Sequence, residues 1–214
     1  MTEGRTFRLR VSFVKQGRLA MLSHLELARA LERAVRRAKL PYAVSNGFSP
    51  HMRIAFGAAL PVGVGGTAEV CDVTLTSYLA PAKALEALQA ASASDLMPFD
   101  CAYVEPGAPA ASAAFPVGVY EVRLSVAPER VVVPDTVTVV RKRKEKVLEV
   151  ADFLCGPVEA EGAVLRLALE SKPTGSLRVD KLVDACLEAT KAAGCLSPDA
   201  RVASITRIEQ KENC

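Results

Sequence analysis

The chain has 214 residues, half of them hydrophobic, with 27 Lys/Arg against 24 Asp/Glu, enough for one large or two small packed domains. No apolar run approaches the roughly 18–20 residues of a bilayer span, and Met1-Thr2-Glu3-Gly4-Arg5 lacks the apolar core of a signal peptide, so a cytoplasmic protein is expected. The net charge of +3 conceals a split: residues 1–60 hold eleven Lys/Arg and three Asp/Glu, the remaining 154 hold sixteen and twenty-one. A concentrated basic segment is the electrostatic footprint of a phosphate-rich partner, which makes RNA or a phosphorylated ligand the first expectation.

In chain order, Phe7, Leu9, Val11 and Phe13 alternate with Arg8, Arg10 and Ser12 and predict a half-buried strand over 7–14. A loop with Lys15, Gly17 and Arg18 follows. Ser23 and Glu26 then form the Ser-x-x-Glu capping box that opens a helix. On a helical wheel Leu27, Ala28, Leu31, Ala34, Val35 and Ala38 share one side, with Arg29, Arg33 and Arg36 opposite and Arg37 at the edge. Leu40-Pro41 ends it. A strand over 42–45, a Gly/Pro loop through Pro50, and a possible continuation over 52–56 come next. Residues 57–66 read as turn and loop, 67–76 as a strand, 82–91 as a helix opened by Pro81, and 99–105 as a weaker strand.

That order is β-α-β-β-α-β, the ferredoxin-like unit, over residues 1–106. Residues 107–117, rich in Ala, Gly, Ser and Pro, read as a linker. Residues 118–214 read as a second α+β domain, with strands near 119–126, 136–141, 146–153, 163–169 and 202–208 and a helix over 179–192. The fold class expected is therefore α+β, two ferredoxin-like domains in tandem. The second is degenerate, its first helix replaced by strand. The run Arg141-Lys142-Arg143-Lys144-Glu145-Lys146 reads as a charged hairpin tip, with an RNA-contacting loop as the alternative.

The six cysteines, Cys71, Cys101, Cys155, Cys186, Cys195 and Cys214, are scattered, with no Cys-x-x-Cys. They are expected to be buried free thiols, Cys214 being the exposed one. Neither cysteine nor histidine spacing signals a metal or another cofactor.

Both histidines fall in the basic segment. In a ferredoxin-like unit the loops leaving the first and second strands sit at one end of the sheet. Lys15, Arg18, Ser23 and His24 are thereby expected to meet Ser45, Asn46, Phe48, His51 and Arg53. A helix N-terminus attracts phosphate, an aromatic loop residue stacks on a base, and two histidines beside a phosphate can act as acid and base. Each residue has a plainer reading: His24 as a packed side chain, Phe48 as a loop anchor, the arginines as a solvated face, Ser23 as a cap only.

At these residues the chain resembles the bacterial radical-SAM-linked protein family, a domain of unknown function that occurs alone or fused behind a B12-binding radical SAM domain. The similar segments are Phe13-Val14-Lys15-Gln16-Gly17, Ser23-His24-Leu25-Glu26-Leu27, the helix from Arg29 to Pro41, Ser45-x-Gly47-Phe48-Ser49-Pro50-His51, and Leu60-Pro61-Val62-Gly63 with Glu69. The match is specific over 7–75 and weaker at Gly175-Ser176-Leu177-Arg178. Met52 departs from a frequent second proline, and Glu26 replaces a usual Asp. The resemblance implies a part in RNA maturation or modification. The chain lacks the Cys-x-x-x-Cys-x-x-Cys that holds a radical SAM cluster, so an accessory role beside a separate radical SAM enzyme is implied.

The leading expectation is thus an RNA-binding module that presents tRNA or rRNA to such an enzyme. The alternatives are a metal-independent ribonuclease using His24 and His51, assisted by Tyr42, and a protein that binds a phosphorylated ligand at the helix N-terminus.

Overall fold

The alternation at the start of the chain forms strand β1 (Phe7–Lys15), with Leu9, Val11 and Phe13 buried. Helix α1 (His24–Arg37) follows, its Leu27, Leu31, Ala34 and Val35 facing inward as the wheel predicts. Strand β2 (Ile54–Phe56), strand β3 (Val64–Leu75), helix α2 (Pro81–Ala91) and strand β4 (Pro98–Tyr103) complete the series. The computed structural model describes residues 5–141 and 144–214. The chain divides into two units, Met1–Phe115 and Pro116–Cys214.

The first unit has strand order β4-β1-β3-β2, every neighbouring pair antiparallel. Phe7 lies opposite Leu75 and Lys15 opposite Gly66, so β1 ends where β3 begins. Residues from α1 and α2 join the strands in one core, among them Leu31, Val35, Ala84 and Leu88. Each fully buried Leu or Val contributes about 1.5–3 kcal/mol before conformational entropy is subtracted. On the other face of the sheet Asp72 is buried and receives both Nε and an Nη of Arg10, at 2.7 and 2.9 Å.

The second strand differs from expectation. Tyr42 bridges Leu75 and Val44 bridges Met52, while Ile54 to Phe56 pair with Val73 to Cys71. The chain therefore meets the edge of β3 at 42–43, leaves it for residues 45–51, and returns. The loop after Ser45 is an excursion within strand two rather than the connection that follows it.

The expected linker is also corrected. A short helix, α3 (Ala111–Ala114), stands in it, Ala111 is fully buried, an Arg8 Nη donates to Ala108 O at 2.6 Å, and Arg10 lies 5.1 Å from the Phe115 ring centre. Small apolar residues suit close packing as well as they suit a linker, and composition does not separate the two uses.

In the second unit, β5 (Val117–Leu124), β8 (Glu159–Glu161), β9 (Val164–Glu170) and β10 (Val202–Lys211) pair antiparallel in the order β10-β5-β9-β8. Helix α4 (Val179–Ala192) precedes the last strand. Where the first unit has α1, this one has a hairpin of β6 (Thr136–Arg141) and β7 (Lys144–Glu149). Residues 142 and 143 of the charged tip lie outside the described residues. The class is thus mixed α+β with mainly antiparallel sheet.

Cys155 and Cys214 form a disulfide, correcting the expectation of six free thiols. Their 59-residue separation leaves no trace in local sequence. Cys71, Cys101, Cys186 and Cys195 are free and buried, as expected. Burial pushes the Cys101 thiol up to about 12 and the Cys186 thiol up to about 11, which suppresses the thiolate and keeps them unreactive. No helix among the described residues is long and apolar enough to cross a membrane.

Candidate functional site

The end of β1 was expected to present Lys15 to a phosphate. Instead the Lys15 side chain is 1% exposed, and its Nζ donates to Ala20 O at 2.9 Å and Val64 O at 3.2 Å. The ammonium fastens the start of β3 to the turn after β1. Alternation carries it inward: in a strand with Val11 and Phe13 buried, position 15 faces the same side. Gly17 has φ of +52°, and a Cβ there would collide with the Asp95 carboxylate. Arg18 is exposed.

Ser23 and Glu26 form the predicted capping box. Glu26 Oε2 accepts from the Ser23 backbone N–H at 2.9 Å and from its hydroxyl at 2.7 Å. These bonds hold the Glu26 carboxyl below its ordinary value. They also answer the proposed phosphate site at this helix N-terminus. The positive end of the dipole already faces a carboxylate, which repels a second anion. His24 is exposed at the rim, its ring edge-on to Phe56 at 5.2 Å.

The second motif does not join it. Phe56 lies opposite Cys71, whereas the excursion carrying His51 begins and ends near Thr74, with Ala43 N donating to Thr74 O and Thr74 N to Arg53 O. Three strand residues separate the two levels, about 10 Å. The loop closes on itself: Ser45 N donates to His51 O at 2.7 Å and His51 N to Ser45 Oγ at 3.0 Å. The segment that does reach the turn after β1 is 57–63, where Gly63 N donates to Ala20 O at 3.0 Å. The expected meeting of loops occurs, but its second partner is the loop after β2, and His24 and His51 are not set as a facing acid and base.

The loop 45–51 is nonetheless open. Asn46, Phe48 and His51 are exposed, and Phe48 is fully so, which excludes its reading as an anchor. Arg53 is exposed beside it.

On α1, Arg29, Arg33, Arg36 and Arg37 are all exposed. The stretch from Arg29 to Arg37 covers about 12 Å of helix. Arg36 is paired with Glu32 at 3.5 Å, and an Arg37 Nη donates to Ala91 O. Glu26 is engaged by Ser23, so the acidic residues of the helix leave the stripe a cationic surface.

Reading the sequence missed a cleft of about 530 Å³ in the same unit, lined by Arg5, Arg8, Arg53, Tyr78, Tyr103 and Glu105 among others. Its signal was present as aromatic residues near arginines, but these are distant in sequence and only the strand register gathers them. No group of three or more His, Cys, Asp or Glu able to hold a metal occurs among the described residues.

The model of a family described as "Uncharacterized protein conserved in bacteria (DUF2344)" matches residues 8–178. No curated protein matches. Among solved structures the chain is similar to one titled "Crystal structure of the archaeal box H/ACA sRNP Nop10-Cbf5 complex", at 12% identity and a TM-score of 0.40. The likeness covers 95% of this chain and 48% of that one. A similarity this slight supports no inference about function.

Proposed function

We propose that this chain, which belongs to the bacterial DUF2344 family, is an RNA-binding accessory protein acting in the cytoplasm. It presents a structured RNA, of the tRNA or rRNA class, to a separate radical SAM enzyme. The observation that carries the RNA reading is the exposed arginine stripe of α1, Arg29, Arg33, Arg36 and Arg37, on a helix whose opposite face is buried. Arginines at this spacing meet successive phosphates, and release of counterions drives such binding. Each unit is read here as ferredoxin-like from its strand order, the second with a hairpin for its first helix. That frame is shared by many RNA binders and adds little by itself. The radical SAM partner rests on the motif resemblance at 13–17, 23–27 and 45–51.

The test is fluorescence anisotropy with a labelled RNA hairpin over a range of salt. Changing Arg29, Arg33 and Arg36 together to Glu is expected to weaken binding at least tenfold at low salt. The slope of log K against log salt should fall by about 0.7–0.9 per lost phosphate contact. Unchanged affinity at low salt sinks the proposal. The three side chains lie on the helix's outer face, so an unaltered far-UV spectrum is expected of the variant.

A further inference from the structure

The cleft named above is built from four separate segments of the first unit. Arg5, Phe7 and Arg8 come from the start of β1, Arg53 from just before β2, Tyr78 from beyond β3, and Tyr103 and Glu105 from the end of β4. The Tyr78 and Tyr103 rings stack, with centroids 5.1 Å apart and planes 26° from parallel. Phe7 meets both edge-on, at 6.0 and 6.1 Å. The Tyr103 hydroxyl donates to Leu79 O at 2.8 Å and accepts from Leu79 N at 3.0 Å. Its ring is thereby locked and its polar tip satisfied. Tyr78 rests on that fixed ring yet is 62% exposed.

Charge surrounds this aromatic platform. Arg8 is anchored through Ala108 O and stands 3.8 Å from the buried Asp72 carboxylate. Arg5 lies 5.3 Å from the Phe7 ring centre, and Arg53 is exposed at the wall. Glu105 is the acid among these charged groups. A flat aromatic surface beside guanidinium groups is complementary to one class of ligand, a π-faced base joined to a phosphate. A lone carboxylate beside them accepts a hydrogen bond from a ribose hydroxyl or an exocyclic amine. Bases inside a duplex are stacked on both faces and cannot lay one on Tyr78, so an unpaired base suits the cleft best.

We infer that the cleft holds an unpaired nucleotide of a single-stranded RNA segment, its base stacked on Tyr78 and its phosphates met by the exposed Arg5 and Arg53. This is a second site, distinct in its residues from the α1 stripe. It rests on the RNA-binding reading for the identity of the strand. The two together describe a protein that grips structured RNA along a helix and a strand end or loop in a cleft.

The full chain is titrated with a fluorescein-labelled single-stranded decamer of adenosines, with a blunt RNA duplex of the same length, and with adenosine monophosphate. Tyr78→Ala and, separately, Arg53→Glu are expected to weaken the single strand about tenfold and the duplex less than twofold, while Tyr78→Phe keeps the strand affinity. The strand should bind at least tenfold tighter than the monophosphate. If the wild type binds the strand and neither Tyr78→Ala nor Arg53→Glu changes it, the cleft assignment is overturned and the α1 reading stands. Equal affinity for the monophosphate overturns the strand as its ligand. A wild type that binds neither strand nor duplex overturns the RNA reading and this one together.

Discussion

The turn after β1 and the cleft at the opposite end of the same strand contain similar residue types but use them differently. Around the turn, Lys15 is spent on two carbonyls, Ser23 and Glu26 on each other, and Gly17 on a backbone turn that leaves no room for a Cβ. Around the cleft, Arg5, Arg53 and Tyr78 project toward solvent. Polar groups satisfied within the protein hold it together; those left to water are available to a ligand. A dense cluster of motif residues, as at 13–27, therefore marks structure as readily as function.

Substitutions can break this contrast. Lys15→Ala is expected to have the largest effect on stability, about 3 kcal/mol, because two interior carbonyls lose a charged donor and the stem leaves a cavity. A urea titration measures it. RNA affinity of the folded fraction should stay within twofold of wild type, and a large loss of affinity without loss of stability would return Lys15 to the binding surface.

Ser23→Ala should cost about 1 kcal/mol through the lost cap. It carries a pH signature as well. The Glu26 carboxyl is lowered in the folded chain, first by the Ser23 hydroxyl and then by the Ser23 amide. A lowered carboxyl stabilises the fold above the ordinary glutamate value, about 4.3, and the gain is lost as pH falls through the lowered value. The difference in melting temperature between wild type and Ser23→Ala should thus be constant near neutrality and shrink in acid.

Phe48→Ala sits at the small end for stability, within about 0.5 kcal/mol, since the ring buries nothing. Its expected effect is on single-strand affinity, a loss of several-fold if the exposed ring of the 45–51 loop is a stacking surface of its own. A melting temperature lowered by several degrees would instead place Phe48 with the turn residues.

Much of the first unit was legible from the sequence. The alternation in β1, the capping box and the wheel of α1 are local patterns, and each formed within about three residues of its expected bounds. Lys15 was read as loop, although the alternation that buries Val11 and Phe13, carried one step further, buries position 15. What was not legible depends on pairing. Residues 42–45 and 52–56 read as strand with a loop between, and sequence does not reveal whether that loop ends a strand or interrupts it. The answer decides which end of the sheet His51 faces. The cleft was hidden for the same reason, because Arg5, Arg53, Tyr78 and Tyr103 are gathered only by the register of four strands. Cys155 and Cys214 are likewise brought together by the fold alone.

The excursion within strand two has a practical meaning. Its ends are clasped by the bridge between Val44 and Met52, and the pairing of β2 resumes beyond it. Lengthening such a loop is cheap, on the order of 0.6 kcal/mol for each doubling. Residues 45–51 are therefore a port where a reporter or an epitope can be spliced into the chain while the sheet on either side keeps its register.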